Sequence, residues 1–337
     1  MLFTLMVAMG LFLVAFSHAT LTADASVDKL TKMSQLLDDD VVAALDGDGD
    51  GLGEITGIDP GAGMMNTLNA FIDGNESWSA KYEVLDSSDA TMTVALDNAV
   101  QNNDSIVVTL WSPHWAFNKY DLTYLEDDIS LYGEADTVVT LARQDLDTDR
   151  PDLYDLIERF EWEHEDIQQV MLAIQEGTAE EQAAQDWVDD NTATVETWIG
   201  DVDGTGSDPV NLGYVAWAGE IASTNVMKLV LEEAGYDVTL HLVAAAALYE
   251  GLANGDIDFT VSAWLPLTQS NYWEDEGYKD QIDWVNVNLE NAKVGLVIPT
   301  YMAQSGYFEP AESSPGFILP LAAVGLLSIG LIRKHRK

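Results

Sequence analysis

The chain has 337 residues, and 58 acidic side chains against 14 Lys and Arg give a formal net charge of −44. Hydrophobic residues make up 47% of it, with 10 Trp and 12 Tyr, so the acidity belongs to a folded surface rather than to a disordered chain. Nucleic acid is excluded as a partner, because binding phosphates needs a basic face. Like charges at this density repel one another unless salt screens them, and at molar salt the Debye length falls to about 3 Å. The charge therefore predicts a protein of a salt-loving organism, and an acidic protein of a mesophile is the alternative.

Cysteine is absent, which excludes disulfides, thiolate metal sites and cysteine nucleophiles. The five histidines do not have the spacing of a zinc site, and they are His18, His114, His164, His241 and His335. The sequence therefore predicts no cofactor and no metal-dependent chemistry.

Both ends of the chain differ in composition from its centre. Residues 1–25 combine an apolar run with small-residue cleavage patterns and predict an export signal. Residues 304–337 contain Pro315-Gly316-Phe317, an apolar run and a basic end, in an order that resembles archaeal surface-sorting tails. A plain membrane helix is the alternative, although the run is short for a span of about 20 residues.

Residues 26–53 are predicted to form an acidic linker. Within and just after it, Asp46, Asp48, Asp50 and Glu54 occupy positions 1, 3, 5 and 9 of a calcium-loop pattern. Position 12, where a bidentate Glu belongs, is Gly57. The match is partial, so a calcium loop and a flexible linker both stay open.

The central part of the chain contains two similar units of alternating strands and helices. The first has predicted strands at 54–58, 81–85 and 105–110, a helix starting at Gly61-Ala62-Gly63 and another capped by Ser88. The second has predicted strands at 210–216, 236–242 and 257–262, with helices at 218–234 and 245–254. This order predicts an α/β fold of two lobes, each a mostly parallel sheet with flanking helices, and a ligand in the cleft between them.

An amphipathic helical region at 152–198 separates the two units and is predicted to wrap one lobe. It is counted with the first half, 54–206, and the second half is 207–303. About 290 residues between the two ends suffice for two lobes of ordinary size.

Three tryptophans lie where predicted strands end, and open α/β sheets bind ligands at those ends. They are Trp111, Trp217 and Trp264. Indole faces attract a soft cation by roughly 0.5–2 kcal/mol per ring, and a quaternary ammonium has no N–H group to satisfy. Free backbone N–H groups of the turn that opens the first helix, Asp59 to Met64, would suit the carboxylate of a zwitterion.

These residues belong to longer motifs, which are Gly57-Ile-Asp-Pro-Gly-Ala-Gly-Met64, Trp111-Ser-Pro-His-Trp115, Tyr214-Val-Ala-Trp217 and Ser262-Ala-Trp-Leu-Pro266. Together they resemble the glycine betaine-binding proteins of ATP-driven (ABC-type) osmoprotectant importers, in the permuted order with the GIDPGAG half first. The resemblance implies a type II periplasmic-binding-protein fold that closes about a hinge. It also implies that the protein delivers its ligand to a membrane permease. The export signal and the tail predict that it lies on the outer face of the membrane, anchored through the tail, and a monomer is expected.

The resemblance also assigns the ligand-binding residues. Trp111, Trp217 and Trp264 would form the ammonium cage, and the N–H groups of Gly63 and Met64 would bind the carboxylate. The family's carboxylate-binding His is Gln269 here, a neutral donor. The predicted function is capture of glycine betaine or a related compatible solute, without enzymatic activity. The alternative is a secreted surface hydrolase, against which no GxSxG, HExxH or paired-acid motif is found.

Overall fold

The two repeated units fold as two sets of three parallel strands, in a computed structural model that describes residues 29–308. The strands are β1 (Gly53–Thr56), β2 (Tyr82–Leu85), β3 (Val107–Ser112), β4 (Leu122–Tyr124), β5 (Asp136–Arg143), β6 (Val210–Tyr214), β7 (Val238–Leu242), β8 (Phe259–Leu265) and β9 (Ile282–Pro299). The predicted export signal and the sorting motif at 315–317 lie outside the described residues.

Helices flank these strands and form a separate group between the two units. They are α1 (Asp39–Leu45), α2 (Gly63–Gly74), α3 (Glu76–Ser79), α4 (Asp89–Asn102), α5 (Ala116–Lys119), α6 (Leu146–Asp149), α7 (Pro151–Glu158), α8 (His164–Gln175), α9 (Glu180–Asp190), α10 (Thr192–Ile199), α11 (Ala218–Glu233) and α12 (Ala245–Asn254). Short 3-10 turns occur at Met33–Leu37, Tyr278–Asp280 and Thr300–Ala303, and a π-helical turn at Asn271–Asp275. Within residues 29–308, no helix has both the length and the apolar character needed to span a bilayer.

The strands follow the order β2-β1-β3-β9-β5-β8-β6-β7, with β4 paired to β9. Strands β1 to β4 and the second half of β9 make the first lobe, and β5 to β8 with the first half of β9 make the second. The long strand β9 therefore crosses between the lobes. Its residue Ala292 pairs with Asp136 of the second lobe, and Lys293 pairs with Ser112 of the first.

The two-lobed α/β architecture is confirmed, but each sheet is mixed rather than mostly parallel. Strand β9 runs antiparallel to β3 and β5, and β5 runs antiparallel to β8. Neither β5 nor β9 is part of the repeated units, which is why the repeat does not predict them. The chain passes between lobes twice, once between β4 and β5 and once along β9.

The helices at 152–198, which are predicted to wrap one lobe, lie on the second lobe. In the chain order they fall within the predicted first half, 54–206. Helices α8 and α9 pack against α11, which in turn covers β6 and β8. The aromatic rings of Trp162, Trp187 and Trp198 pack together there, with Trp187 stacked on Trp198 at 5.6 Å. These three tryptophans are therefore core residues of the second lobe.

Residues 30–45, inside the predicted acidic linker, form part of the core of the first lobe. Leu30, Met33, Leu36 and Val41 are fully or almost fully buried. The phenol of Tyr82 on β2 donates a hydrogen bond to the carbonyl of Leu36 at 2.6 Å. Apolar residues placed between the acids thus anchor the segment to the sheet.

Candidate functional site

All six predicted ligand-binding residues line one cavity between the lobes. Its volume is about 410 Å³, including the space open to solvent, which is in the range of small-molecule sites. The first lobe contributes Ile58, Ala62, Gly63, Met64 and Trp111, the second contributes Trp217, Gly219, Glu220, Trp264, Thr268 and Gln269, and Val294 comes from β9. The repeated units therefore place their strand ends at one cleft, as expected from the fold.

The three cavity tryptophans are held by different elements. Trp111 lies near the carboxyl end of β3, Trp264 near that of β8, and Trp217 directly precedes α11. Trp111 and Trp217 are buried, whereas Trp264 is partly exposed. The indole N–H of Trp217 donates to Oδ2 of Asp59 in the opposite lobe at 3.0 Å. This bond fixes the ring and joins the lobes at the cavity.

The start of α2 supplies free hydrogen-bond donors on the first-lobe side of the cavity. The backbone N–H groups of Gly63 and Met64 are the first two of the helix, and neither donates to any atom of residues 29–308. Such N–H groups at a helix start carry the positive end of the helix dipole. The cavity therefore offers an anion two donors in addition to three aromatic rings.

Gln269 presents a third donor to the cavity. Its Oε1 accepts hydrogen bonds from the Tyr249 phenol at 2.8 Å and from the Trp264 backbone N–H at 3.0 Å. Its Nε2 has no hydrogen-bond partner among the described residues. Because the oxygen is held by two donors, the orientation of the amide is fixed and the NH₂ group remains for a ligand.

Glu220 is a buried acid in the wall of the same cavity. It is 2% exposed, and its Oε2 accepts a hydrogen bond from the Val215 N–H at 2.5 Å. Its Oε1 is buried and has no partner within residues 29–308. Burial raises the pKa of Glu220 to about 8, although the bond from Val215 opposes this rise. The carboxyl is therefore neutral at mildly acidic pH.

This buried acid predicts a pH dependence of stability. A carboxyl whose pKa is raised on folding stabilises the fold while protonated, and that stabilisation is lost as pH rises through the folded pKa. With a folded pKa of about 8, the free energy of unfolding should fall by about 1.4 kcal/mol between pH 7 and pH 9. Denaturant titrations at constant molar salt measure the free energy of unfolding at each pH. The variant Glu220→Gln serves as the control, and an equal fall in this variant would refute the assignment.

The lobes are joined by several direct contacts around the cavity. Oδ2 of Asp89 accepts the Ala218 N–H of the opposite lobe at 2.8 Å. The Tyr272 phenol donates to the Gly61 carbonyl at 2.7 Å. A Cβ at Gly63 would lie 1.8 Å from the Thr268 carbonyl oxygen. The structure is therefore that of a closed cleft.

His114 lies outside the cavity and contacts two residues that shape the closed cleft, Asp89 and Trp111. The Ala116 N–H donates to its Nδ1 at 3.1 Å, so Nε2 carries the hydrogen and donates to Oδ1 of Asp89 at 3.3 Å. Its ring packs edge-on against Trp111, with centroids 4.7 Å apart. His114 thus orients Trp111 and Asp89 and does not line the cavity.

We expect Asp89→Asn to weaken ligand binding roughly 3- to 10-fold while the fold is preserved. Asp89 accepts the His114 Nε2–H and the Ala218 N–H with its two oxygens. Asparagine keeps a single oxygen, so one donor loses its acceptor in the closed form. The affinity of Asp89→Asn, measured by ligand titration, is compared with that of Asp73→Asn, which removes an exposed charge on α2. Equal affinities of the two variants would contradict a role for Asp89 in closure.

A comparison with known proteins agrees with this geometry. A family profile described as the substrate-binding domain of ABC-type glycine betaine transport systems matches residues 16–190 and 208–308, most of the chain. The chain belongs to this family. The glycine betaine/carnitine transport binding protein GbuC of Listeria monocytogenes is 38% identical over 264 residues, 77% of this chain and 86% of the relative. These comparisons give no support to the hydrolase alternative.

Two solved structures of related proteins are similar in part. Lactococcal OpuAC, closed around glycine betaine, is 36% identical over 43% of this chain and 57% of its own, with a TM-score of 0.39. The glycine betaine/L-proline-binding protein ProX of Borrelia burgdorferi is 27% identical over 51% of this chain and 62% of its own, with a TM-score of 0.41. In both cases the matched part spans less than two-thirds of the solved chain.

The acidic loop before β1 lies apart from the cavity. Carboxylate oxygens of Asp46, Asp48 and Asp50 lie within 4.8 Å of one another, and so do those of Asp48, Glu54 and Glu83. At the twelfth position of the calcium pattern, a Cβ on Gly57 would lie 2.2 Å from the Cε of Met65. A larger side chain at that position would have to displace Met65 from the core, so the site of the pattern's bidentate Glu is occupied by core packing.

The sequence analysis did not assign a role to several residues that lie around the cavity of this member of the betaine-binding family. Asp89 and Tyr272 act through contacts between distant parts of the chain, and nothing in their local sequence marks them. Asp59 lies in a motif that the sequence does show, but its hydrogen bond with Trp217 of the other lobe could not be read from that motif. Tyr249 acts through Gln269, 20 positions further along. Glu220 did carry a signal. It lies three residues after Trp217, at the third helical position of α11, where acids commonly bind backbone N–H groups at a helix start.

Proposed function

We propose that this protein captures glycine betaine or a closely related quaternary-ammonium zwitterion for uptake by an ABC importer. The observation that carries the proposal is the presence of three indole rings and three free N–H donors, contributed by both lobes, in one closed cleft. The rings of Trp111, Trp217 and Trp264 would surround the ammonium. The backbone N–H groups of Gly63 and Met64 would bind the carboxylate.

The cellular setting of the proposal rests on the chain ends and on the charge. An export signal at 1–25 and a tail at 304–337 would place the protein, as a monomer, on the outer face of the membrane beside its permease. The net charge of −44 suits a halophile that accumulates compatible solutes against external salt. The permuted order of the halves and the archaeal type of the tail remain predictions from the sequence.

The name of the Listeria relative supports betaine and carnitine as ligands to test first. Titrating the full chain in molar salt with glycine betaine, proline betaine, carnitine and choline, while following tryptophan fluorescence, gives the preference directly. Glycine is the matched negative control, because it keeps the carboxylate and loses the three methyl groups. We expect saturable binding of glycine betaine and none of glycine. Failure of all four methylated compounds to bind would overturn the proposal.

Replacing Gln269 by Leu should weaken glycine betaine binding more than choline binding. The substitution removes the NH₂ donor that faces the ligand carboxylate, a loss of roughly 1–3 kcal/mol for betaine alone. It also leaves the phenol of Tyr249 without its acceptor, which affects both ligands equally. The ratio of the two affinities, measured by calorimetry, is therefore the informative quantity. An unchanged ratio would show that Gln269 does not bind the carboxylate.

A further inference from the structure

The Glu220 carboxyl uses only one of its oxygens in the hydrogen bond with Val215. It lines the same cavity as the three tryptophans, is 2% exposed, and leaves Oε1 buried without a partner. No ion pair within residues 29–308 includes it. A buried, unpaired carboxyl is costly to ionise unless a cation arrives beside it.

Among the residues that the structure describes, none supplies a fixed cation next to Glu220. The only basic residue of its own helix, Lys228, lies two turns further along and pairs with Glu181 and Glu232. Strand β8 has no ionisable residue, and the α8 side chains nearest this turn, Met171, Ile174 and Gln175, are not ionisable either. The titratable groups of the other elements around the cavity are Tyr249, Tyr272, Asp136, Asp59, Asp89 and His114. Burial holds the pKa of Tyr249 well above its usual range, so this phenol stays neutral.

We propose that Glu220 sets the charge preference of the cavity: neutral, it favours zwitterionic betaines, and ionised, it favours ligands with a net positive charge such as choline. The inference rests on the proposed function and extends it to ligand specificity. It makes Glu220 a ligand-facing residue in addition to its hydrogen bond with Val215.

The physical basis is the difference in charge between the two kinds of ligand. An ionised Oε1 attracts the trimethylammonium group of both, but it also repels the carboxylate of betaine, so the two effects partly cancel. Choline has no carboxylate and receives the full attraction. Because Oε2 accepts the Val215 N–H, the proton of the neutral acid lies on Oε1, which faces no acceptor. Ionisation near pH 8 therefore changes the one oxygen that is free to interact.

Calorimetric titrations of the full chain with choline and with glycine betaine, at pH 7 and pH 9 in molar salt, test this inference. Choline affinity should rise roughly 5- to 10-fold between the two pH values, and betaine affinity should change by less than about 3-fold. Choline binding at pH 8 should also release protons, measured in buffers of different ionisation enthalpy, because a cation lowers the pKa of the acid beside it.

The variant Glu220→Gln is the matched control, since its amide oxygen can still accept the Val215 N–H. In it, the ratio of choline to betaine affinity should be the same at pH 7 and pH 9. An unchanged ratio in the wild-type protein, or an absence of proton release, would overturn the inference while betaine binding still supports the proposed function. Binding of neither ligand at either pH would overturn both.

Discussion

Replacing Trp264 by alanine should weaken glycine betaine binding roughly 5- to 150-fold, a loss of about 1–3 kcal/mol. The indole lies near the carboxyl end of β8 and forms one wall of the cavity. Trp264 is more exposed than Trp111 and Trp217, so its removal leaves the smallest void in the core. Unlike Trp217, its indole makes no hydrogen bond across the lobes within residues 29–308. Its loss therefore reports mainly on contact with the ligand.

The matched control for this variant is Trp187→Ala. Trp187 is 2% exposed, stacks on Trp198 in the second lobe and lies outside the cavity. Its substitution should lower the free energy of unfolding by roughly 3–5 kcal/mol while leaving the affinity of the folded fraction close to that of the wild type. If Trp187→Ala weakens binding as much as Trp264→Ala does, the assignment of the cage is wrong. Titration by calorimetry, in salt that keeps both variants folded, makes the comparison.

Replacing Gly63 by alanine should prevent closure of the cleft and weaken betaine binding by roughly 100-fold or more. The added Cβ would lie 1.8 Å from the carbonyl oxygen of Thr268 and 2.6 Å from its carbonyl carbon, both in the opposite lobe. These are backbone atoms and cannot rotate away, so the lobes must separate to admit the methyl group. When the lobes separate, the two walls of the cavity move apart. A ligand can then no longer contact both walls at once, so most of the binding free energy is lost.

Gly74 offers a control at the other end of the same helix. Apart from its chain neighbours and its own helix backbone, a Cβ there would meet no atom of residues 29–308 within 4 Å, so Gly74→Ala should bind betaine normally. Solution scattering measures the closure itself, because the radius of gyration should fall on adding betaine in the wild type and in Gly74→Ala. In Gly63→Ala it should not change. A normal decrease in Gly63→Ala would show that the lobes of the ligand-bound protein do not approach as closely as Gly63 and Thr268 do in the structure.

The sequence predicts the parts of the fold that repeat and the side chains at the repeated strand ends. Trp111, Trp217 and Trp264 could be placed at one cleft because parallel strands bring their carboxyl ends to the same edge. The predicted helix cap at Ser88 is confirmed, since its Oγ accepts the Thr91 N–H at 3.2 Å. Local patterns of this kind depend on neighbours within a few residues, and those neighbours are visible in the sequence.

The contacts that close the cleft could not be predicted in this way. The partners Trp217 and Asp59 are 158 positions apart, and Ala218 and Asp89 are 129 positions apart. No local pattern relates such residues, because the relation exists only once both lobes have folded and met. Strand β9 was missed for a similar reason, since its role in both lobes depends on partners distant in sequence.

The most direct test of the account compares glycine betaine with 3,3-dimethylbutyrate, its neutral-headed analogue, in which a carbon replaces the ammonium nitrogen. The two ligands have nearly the same shape and the same carboxylate, so the N–H donors of Gly63 and Met64 serve both equally. At pH 6, where the Glu220 carboxyl is neutral, the difference between the ligands is the attraction between the cation and three indole rings, at roughly 0.5–2 kcal/mol per ring. Calorimetry in molar salt should show betaine binding at least about tenfold more tightly. Equal affinities would show that the tryptophans act only as apolar surface. The absence of betaine binding would contradict the proposed function itself.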